Sequence, residues 1–313
     1  MRVTSNSFPT ALQYQLESLA TKQARLQSQA ATGQRFSAPS EDPRATRKVL
    51  ELQQETRRLS QYNENIDLSS EKLNSVYGAI QAVKKVSDRA GELATMVDDM
   101  KSRDQLAAYR QEINQLIEQS VQIANTNNQF GYIFSGTKSN AEAYGITRNE
   151  NGEISEVEYQ GSTDTLGIEI AKGSQISVEM AGSNTTESGT QGLFETREGS
   201  FFSNLIELRD RLDSGTREDV AYIRETVTTN LMKDESNVIY HISRVGALEA
   251  RLETAKTLGT RRITAANEFV SKEVDADLAK TLVKLNEIQT AYLAALKSGS
   301  TIMNQSLLEV IGS

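Results

Sequence analysis

The chain of 313 residues has no cysteine and no tryptophan, a single histidine (His241), and prolines only at Pro9, Pro39 and Pro43. Without cysteine there are no disulfides and no thiolate metal sites. With one histidine there is no multi-histidine metal centre and no His/Asp relay with a ligand to spare. Nothing after Pro43 forces a break, so long helices are permitted across the rest of the chain. No apolar run approaches the ~20 residues that span a bilayer. The start, Met1-Arg2-Val3-Thr4-Ser5-Asn6-Ser7-Phe8, lacks the apolar stretch of a cleaved signal peptide, so export would use another route. Hydrophobic residues make up 37% and aromatics 6%. That is lean for one globule of this length, and it suits long helices that each bury a narrow stripe.

Charge is uneven. Of the net −8, the stretch from Asn140 to Ser200 carries 11 acidic against 3 basic residues, which leaves the remainder neutral on balance. A concentrated acidic middle reads as a solvated outer module and argues against nucleic acid as its partner.

The periodicity divides the chain into three stretches. Leu12, Leu16, Leu19 and Leu26 form one helical stripe that ends at Thr32-Gly33-Gln34-Arg35, a glycine stop. Asp42 reads as an N-cap with Pro43 at the first helical position. From there Leu52, Leu59, Ile66, Leu73 and Ile80 recur every seventh residue, with imperfect companion positions at Glu55 and Ser69. This heptad pattern predicts a coiled-coil-like helix to about Asp98, roughly 80 Å long at 1.5 Å per residue. A Ser102/Gln105 capping box opens another helix, with Leu106, Ile113, Leu116, Ile117 and Ile123 on its buried side. Past Asn125 alternation replaces the helical period. Tyr144–Arg148 and Ile154–Tyr159 flank Asn151-Gly152, and the Leu166–Ile170 and Ile176–Met180 runs flank Gly173-Ser174. Both read as antiparallel hairpins. Gly182 to Gly192 reads as a loop. Helical spacing then returns. Ser203 to Asp213 ends at Ser214-Gly215, and Thr216 caps the next helix, on which Val238, Val245 and Leu252 lie seven apart. Leu278, Leu282, Leu285, Tyr292 and Leu296 mark a last helix, where Ala291, Ala294 and Ala295 allow close approach of a neighbour.

The expected fold is therefore mainly α with a β-rich insertion. Long coiled-coil-like helices from both chain ends pair in a bundle, and an antiparallel β module lies between them. The expected domains are 1–40 with 276–313 as a terminal coiled-coil core, 41–136 with 203–275 as a helical bundle, and 137–202 as an outer β-rich domain. Neither terminal helix can bury its stripe alone, and an isolated helix of that length is marginal in water. Even paired, the two ends form a thin rod with an apolar flank. Copies of the chain can cover that flank, and repeated non-closing contacts generate helical assemblies. Periodicity alone favours an ordinary antiparallel bundle over a polymer.

Catalytic groupings are scarce, and no catalytic, cofactor-binding or metal residue is assigned. His241 sits among Ile239, Tyr240 and Ile242 without a nucleophile or orienting partner, as a surface or bundle-edge residue would. Gly131-Tyr132-Ile133-Phe134-Ser135-Gly136-Thr137-Lys138 resembles a phosphate loop superficially, but Thr137 separates the second glycine from the lysine. Glu41-Asp42 is accounted for by helix capping and Asp98-Asp99 by a helix end, and neither has further ligands to suggest calcium. The basic pairs Arg57-Arg58, Lys84-Lys85 and Arg261-Arg262 are interleaved with acids, which is unlike a nucleic-acid groove.

Several segments together resemble the flagellin-like axial family of the bacterial flagellum. They are the Met1-Arg2-Val3-Thr4 opening with its glutamine-rich leucine helix, the Thr32–Arg35 turn, and the ending Tyr292 through Ile311 with Ser306-Leu307-Leu308. Ala38-Pro39-Ser40-Glu41-Asp42-Pro43-Arg44-Ala45 is similar to the proline-containing form found in its hook-associated junction members, where flagellin usually lacks the proline. Asn125-Thr126 followed by Gly131–Lys138 is the most specific match to those members. The acidic module is covered only loosely.

The resemblance implies a structural subunit, not an enzyme and without cofactor, that polymerises at the hook–filament junction and connects hook to filament. It implies export unfolded through the flagellar type III apparatus and an extracellular place in the flagellum. The implied partners are copies of itself, the neighbouring hook-associated junction protein, flagellin, and an export chaperone holding the C-terminal helix, with no nucleic acid and no membrane span. The expected assembly interface is Leu12, Leu16, Leu19 and Leu26 against Leu278, Leu282, Leu285, Tyr292 and Leu296, packed only in the assembled state. Flagellin itself and a non-flagellar coiled-coil binding module remain alternatives.

Overall fold

Residues 7–186 and 189–311 are described by the structure, a computed structural model, with side chains for 10–186 and 189–301. The Met1-Arg2-Val3-Thr4 opening and the side chains of Ser306-Leu307-Leu308 lie outside the described residues. The chain divides into two compact units, residues 1–58 with 261–313 and residues 59–260. Within the second unit the β hairpins share a core with the helices around them.

In the first unit, α1 (Ser7–Thr32) ends where Gly33 takes φ 70°, the left-handed cap expected of a glycine there. α2 (Pro43–Met96) begins under its predicted cap, with the Ala45 N–H donating to Asp42 Oδ1 at 3.0 Å. α7 (Leu278–Ile311) opens similarly, with the Lys280 N–H donating to Asp277 Oδ1 at 3.0 Å. The unit holds few fully buried apolar side chains, notably Ala45, Val49 and Ala266.

The second unit contains the main core. The heptad residues deepen along α2, from Leu59 at 9% exposure to Ile66, Leu73, Ile80 and Val83 at 1% or less. Ser69, an imperfect heptad position, is tolerated because its hydroxyl donates to the Asn65 carbonyl at 2.7 Å. α3 (Arg103–Ala124) starts with the expected capping box, the Gln105 N–H donating to Ser102 Oγ and the Ser102 N–H to Gln105 Oε1. α4 (Phe201–Ser214) ends at Gly215 in the left-handed conformation. Thr216 then caps α5 (Arg217–Tyr222), which runs through a π-helical turn at Ile223–Val227 into α6 (Thr228–Val274). The π turn absorbs one extra residue, and the Thr228 hydroxyl donates to the Ile223 carbonyl at 2.9 Å.

The strands form two-stranded antiparallel pairs. The two predicted hairpins are β3–β4 (Tyr144–Arg148, Ile154–Tyr159) and β5–β6 (Ile168–Ala171, Ser174–Ile176). Two short additions were not predicted: β1–β2 (Asn127–Asn128, Gly131–Tyr132) and β7–β8 (Glu195–Thr196, Gly199–Ser200). Aromatic packing joins this region to the helices. Phe194 stacks on Phe202 at 5.1 Å between ring centres, and Phe134 and Tyr144 meet Phe194 edge-on at 5.4 and 5.6 Å. Arg209 of α4 is 2% exposed, pairs with Asp210 at 2.7 Å, and donates to the Ile154 carbonyl at 2.6 Å, tying β4 to the helix. The Gly182–Gly192 stretch is not wholly a surface loop as expected. Its ends dock on the core, where Ser183 and Asn184 are buried.

The Gly131–Lys138 segment folds as β2 and the turns that follow it, with no helix after the glycines, so it forms no phosphate loop. Its central glycine is demanded by geometry. Gly136 has φ 64°, and a Cβ there would overlap the Ser162 carbonyl oxygen, far inside van der Waals contact. Gly136→Ala is expected to destabilise the second unit by about 2–4 kcal/mol, combining the left-handed penalty with a backbone clash. Urea unfolding followed by tyrosine fluorescence checks this.

Candidate functional site: the paired chain ends

Chain segments 33–35 and 274–276 run side by side in an antiparallel sense and set the register of the end helices. The Ala276 N–H donates to the Gly33 carbonyl at 2.7 Å, and the Arg35 N–H to the Val274 carbonyl at 2.6 Å. Arg35 then clamps three elements. Its Nε donates to the Glu273 carbonyl at 3.0 Å, its Nη2 pairs with Asp42 at 3.1 Å, and its carbonyl accepts from Gln29 Nε2 at 2.6 Å. This is the physical content of the Thr32–Arg35 motif: the Arg35 guanidinium joins the cap of α2 to the end of α6, and its carbonyl ties in the exit of α1.

From this crossing α1 and α7 pair antiparallel in the single chain. The two helices thus meet within one chain. On α1 the four predicted leucines, Leu12, Leu16, Leu19 and Leu26, are all half-buried, with Gln23 and Ala30 continuing the same stripe. On α7 the most covered positions are Thr281 and Gly299, and Leu285, Ile288, Tyr292 and Ala295 are half-buried between them. The spacing is 4-3-4-3-4, a seam. A Cβ at Gly299 would overlap the Leu12 side chain, so the helices meet closely there because the residue is small.

Leu285 and Tyr292 thus lie in the seam, but Leu278, Leu282 and Leu296 do not. They are 48%, 51% and 41% exposed, and Leu293 is exposed at 66%. At 100° per residue these four leucines fall on one strip roughly a quarter-turn from the Thr281–Gly299 line. Sequence reasoning had merged two stripes into one. Of the other seam residues, Ala295 was expected to allow close approach, whereas Thr281, Ile288 and Gly299 carry their signal in the spacing but were outranked by leucine. In the same unit, Pro39, Pro43, Thr46 and Leu50 line a shallow groove of about 400 Å³ in which Leu50 is 57% exposed.

A family model, the bacterial flagellin N-terminal helical region, matches residues 3–139. Flagellar hook-associated protein 3 of Escherichia coli is 24% identical over 97% of this chain and 99% of its own length. The protein of the same name from Salmonella typhimurium is 24% identical over 91% of this chain and 92% of its own. The chain resembles the flagellar hook-associated proteins 3. The fold agrees. A putative hook-associated protein from Vibrio parahaemolyticus superposes with a TM-score of 0.64 at 16% identity, covering 75% of this chain and all of its own. The flagellar junction protein FlgL from Legionella pneumophila gives 0.59 at 14% identity, covering 73% and 100%.

Among the described residues no group of three or more His, Asp or Glu could hold a metal, and no helix is long and apolar enough to cross a membrane. His241 is fully buried, not at a surface or bundle edge as expected. Its Nε2 lies 3.3 Å from the Gly192 carbonyl, which also accepts from Asn237 Nδ2 at 2.9 Å. Histidine and asparagine thus hold the segment entering Leu193 and Phe194 against α6.

Burial pushes His241 down to about 4 from 6.5 and Asp234, two turns earlier, up to about 6 from 3.8. The signs oppose. A depressed histidine contributes stability above pH 6.5 that is lost as pH falls towards 4. A raised aspartate contributes stability below pH 3.8 that is lost as pH rises towards 6. The two nearly cancel in the parent chain. Asp234→Asn is expected to leave the histidine effect uncompensated, so that stability falls by roughly 3 kcal/mol more than the parent's between pH 7 and 4. His241→Gln is expected to shift the slope the opposite way. Urea midpoints at pH 4, 5.5 and 7 test this, and variants with the parent's slope would contradict it.

Proposed function

We propose that this chain is a structural subunit of the bacterial flagellum that polymerises at the hook–filament junction and connects hook to filament. The observation that carries this is end-to-end similarity to hook-associated protein 3, with 97% of this chain and 99% of the relative aligned. The architecture supports it. α1 and α7 bring the chain ends into one hairpin, and that hairpin leaves Leu278, Leu282, Leu293 and Leu296 uncovered. An exposed apolar strip of this kind is satisfied by neighbouring copies. In this reading the leucine strip on α7 and the exposed parts of Leu12, Leu16, Leu19 and Leu26 form the assembly contact, whereas Leu285 and Tyr292 act inside the hairpin.

The neighbouring hook-associated protein and flagellin would then be the partners at either end of the junction. An export chaperone would cover the strip on α7 before assembly, and the protein would act outside the cell, exported without a cleaved signal peptide. No enzymatic role is assigned. The flagellin model covers a region that the axial proteins share, so it does not separate junction protein from filament subunit. Pro43 and the names of the full-length relatives favour the junction.

A double variant tests the reading. Leu282→Glu with Leu293→Glu alters two exposed positions, so the monomer's thermal unfolding should move by no more than a few degrees. In cells lacking their own junction protein, the parent chain should restore filaments and the variant should reduce attached filaments roughly tenfold or more, a loss of about 1.4 kcal/mol per decade of affinity. Wild-type filament numbers with the variant would remove the strip from the assembly contact. Failure of the parent chain itself would remove the junction reading.

A further inference from the structure

The chain has 6 methionines and no cysteine, so thioethers are the only sulfur that a two-electron oxidant can meet. Met96, Met100, Met180 and Met232 lie among the residues whose side chains are described, and they are graded by exposure. Met100 is 93% exposed, Met232 58% and Met96 46%, whereas Met180 is 2% exposed in the core of the second unit. Oxidation of a thioether follows access to its sulfur, so this gradient sets an order.

The turn that carries Met100 does not use its side chain. Val97, just past the end of α2, is buried and anchors the segment. The Met100 N–H donates to Asp98 Oδ1 at 2.9 Å, and the Lys101 N–H donates to the Asp98 carbonyl at 3.2 Å. Ser102 then opens α3 through its capping box. A buried valine, an aspartate and backbone bonds therefore hold the connection between α2 and α3, while the thioether extends into water. A sulfoxide oxygen added at Met100 is solvated as soon as it forms. At Met180 the same oxygen would be enclosed by the core, and a buried polar atom without a donor costs stability.

We propose that Met100 is a reversible oxidation site, at which a peroxide converts the thioether to the sulfoxide in the folded chain, ahead of Met96, Met180 and Met232 and without loss of the fold. A lone pair on the Met100 sulfur attacks one peroxide oxygen and the O–O bond breaks. The sulfur is oxidised by two electrons as the S=O bond forms, and the proton on the transferred oxygen passes to the departing hydroxide. With hydrogen peroxide the products are the sulfoxide and one water. Because the oxidised side chain stays exposed, methionine sulfoxide reductases can return it to the thioether without unfolding the chain. The site lies in the second unit and involves none of the residues assigned to assembly.

The test treats the full-length chain with hydrogen peroxide at roughly 10 mM and follows each methionine peptide by mass spectrometry for a gain of about 16 Da. Met100 is expected to oxidise first, about twice as fast as Met96 and Met232 and at least roughly tenfold faster than Met180. Thermal unfolding of the chain oxidised at Met100 alone should lie within about 2 °C of the untreated chain. A mixture of the two reductase types, one for each sulfoxide epimer, should return the Met100 peptide to its starting mass. Met100→Leu should remove the earliest product and leave the rates at Met96 and Met232 unchanged. Oxidation of any of the other three ahead of Met100 would overturn the proposal. So would a larger fall in the unfolding midpoint with Met100 alone oxidised, or a Met100 sulfoxide that the reductases leave untouched in the folded chain.

Discussion

An antiparallel helix pair buries one stripe from each partner, and α7 has more apolar surface than one stripe can hold. This imbalance governs the first unit. The seam between α1 and α7 is closed by small residues, Thr281, Ala295 and Gly299, so the backbones approach closely and gain packing there. The cost is that the larger side chains, Leu278, Leu282, Leu293 and Leu296, are displaced to the flank, where water reaches 41–66% of each. At about 25 cal/mol per Å² of apolar surface, covering such a strip is worth several kcal/mol per copy. The seam holds Leu285, Ile288 and Tyr292 between its small residues, so the four flank leucines are apolar surface beyond what the pair itself buries.

The second unit has the opposite character. Its heptad residues on α2, the inward faces of α3 and α4, and the aromatic cluster around Phe194 form one continuous buried set. The β insertion belongs to that set. Phe134 and Tyr144 from the strand region meet Phe202 and Phe194 near the start of α4, and Arg209 reaches back to β4. The buried set is drawn from residues 66–252 and not from the chain ends.

Much of the architecture was legible because helix ends are chemical signals. Asp42-Pro43, the Ser102/Gln105 box, Gly33 and Gly215 with Thr216 each marked a boundary that the backbone obeys, and Asn151-Gly152 marked a hairpin. What escaped was tertiary in origin. Leucines on α7 were read as the seam, because hydrophobic spacing reports apolar faces without saying which of two adjacent faces meets the partner. Helix approach distance, set by Gly299 and Thr281, made that choice. His241, on a helical segment with no nucleophile or orienting partner in the sequence, was read as a surface or bundle-edge residue, yet the docking of Gly192 covers it. The π turn at Ile223–Val227 could not be anticipated, because a single inserted residue barely disturbs the spacing of Val220, Ile223, Val227 and Leu231.

Hydrogen–deuterium exchange of the isolated chain, compared with the same chain assembled with its copies, tests the central claim most directly, that the end helices are completed by neighbours. The account predicts that amides of α1 and α7 exchange much faster than those of Leu59–Met96 in the isolated chain, and become protected to a similar degree on assembly. Equal protection of α1, α7 and Leu59–Met96 in the isolated chain would contradict it, and would mean that the pair is already complete by itself.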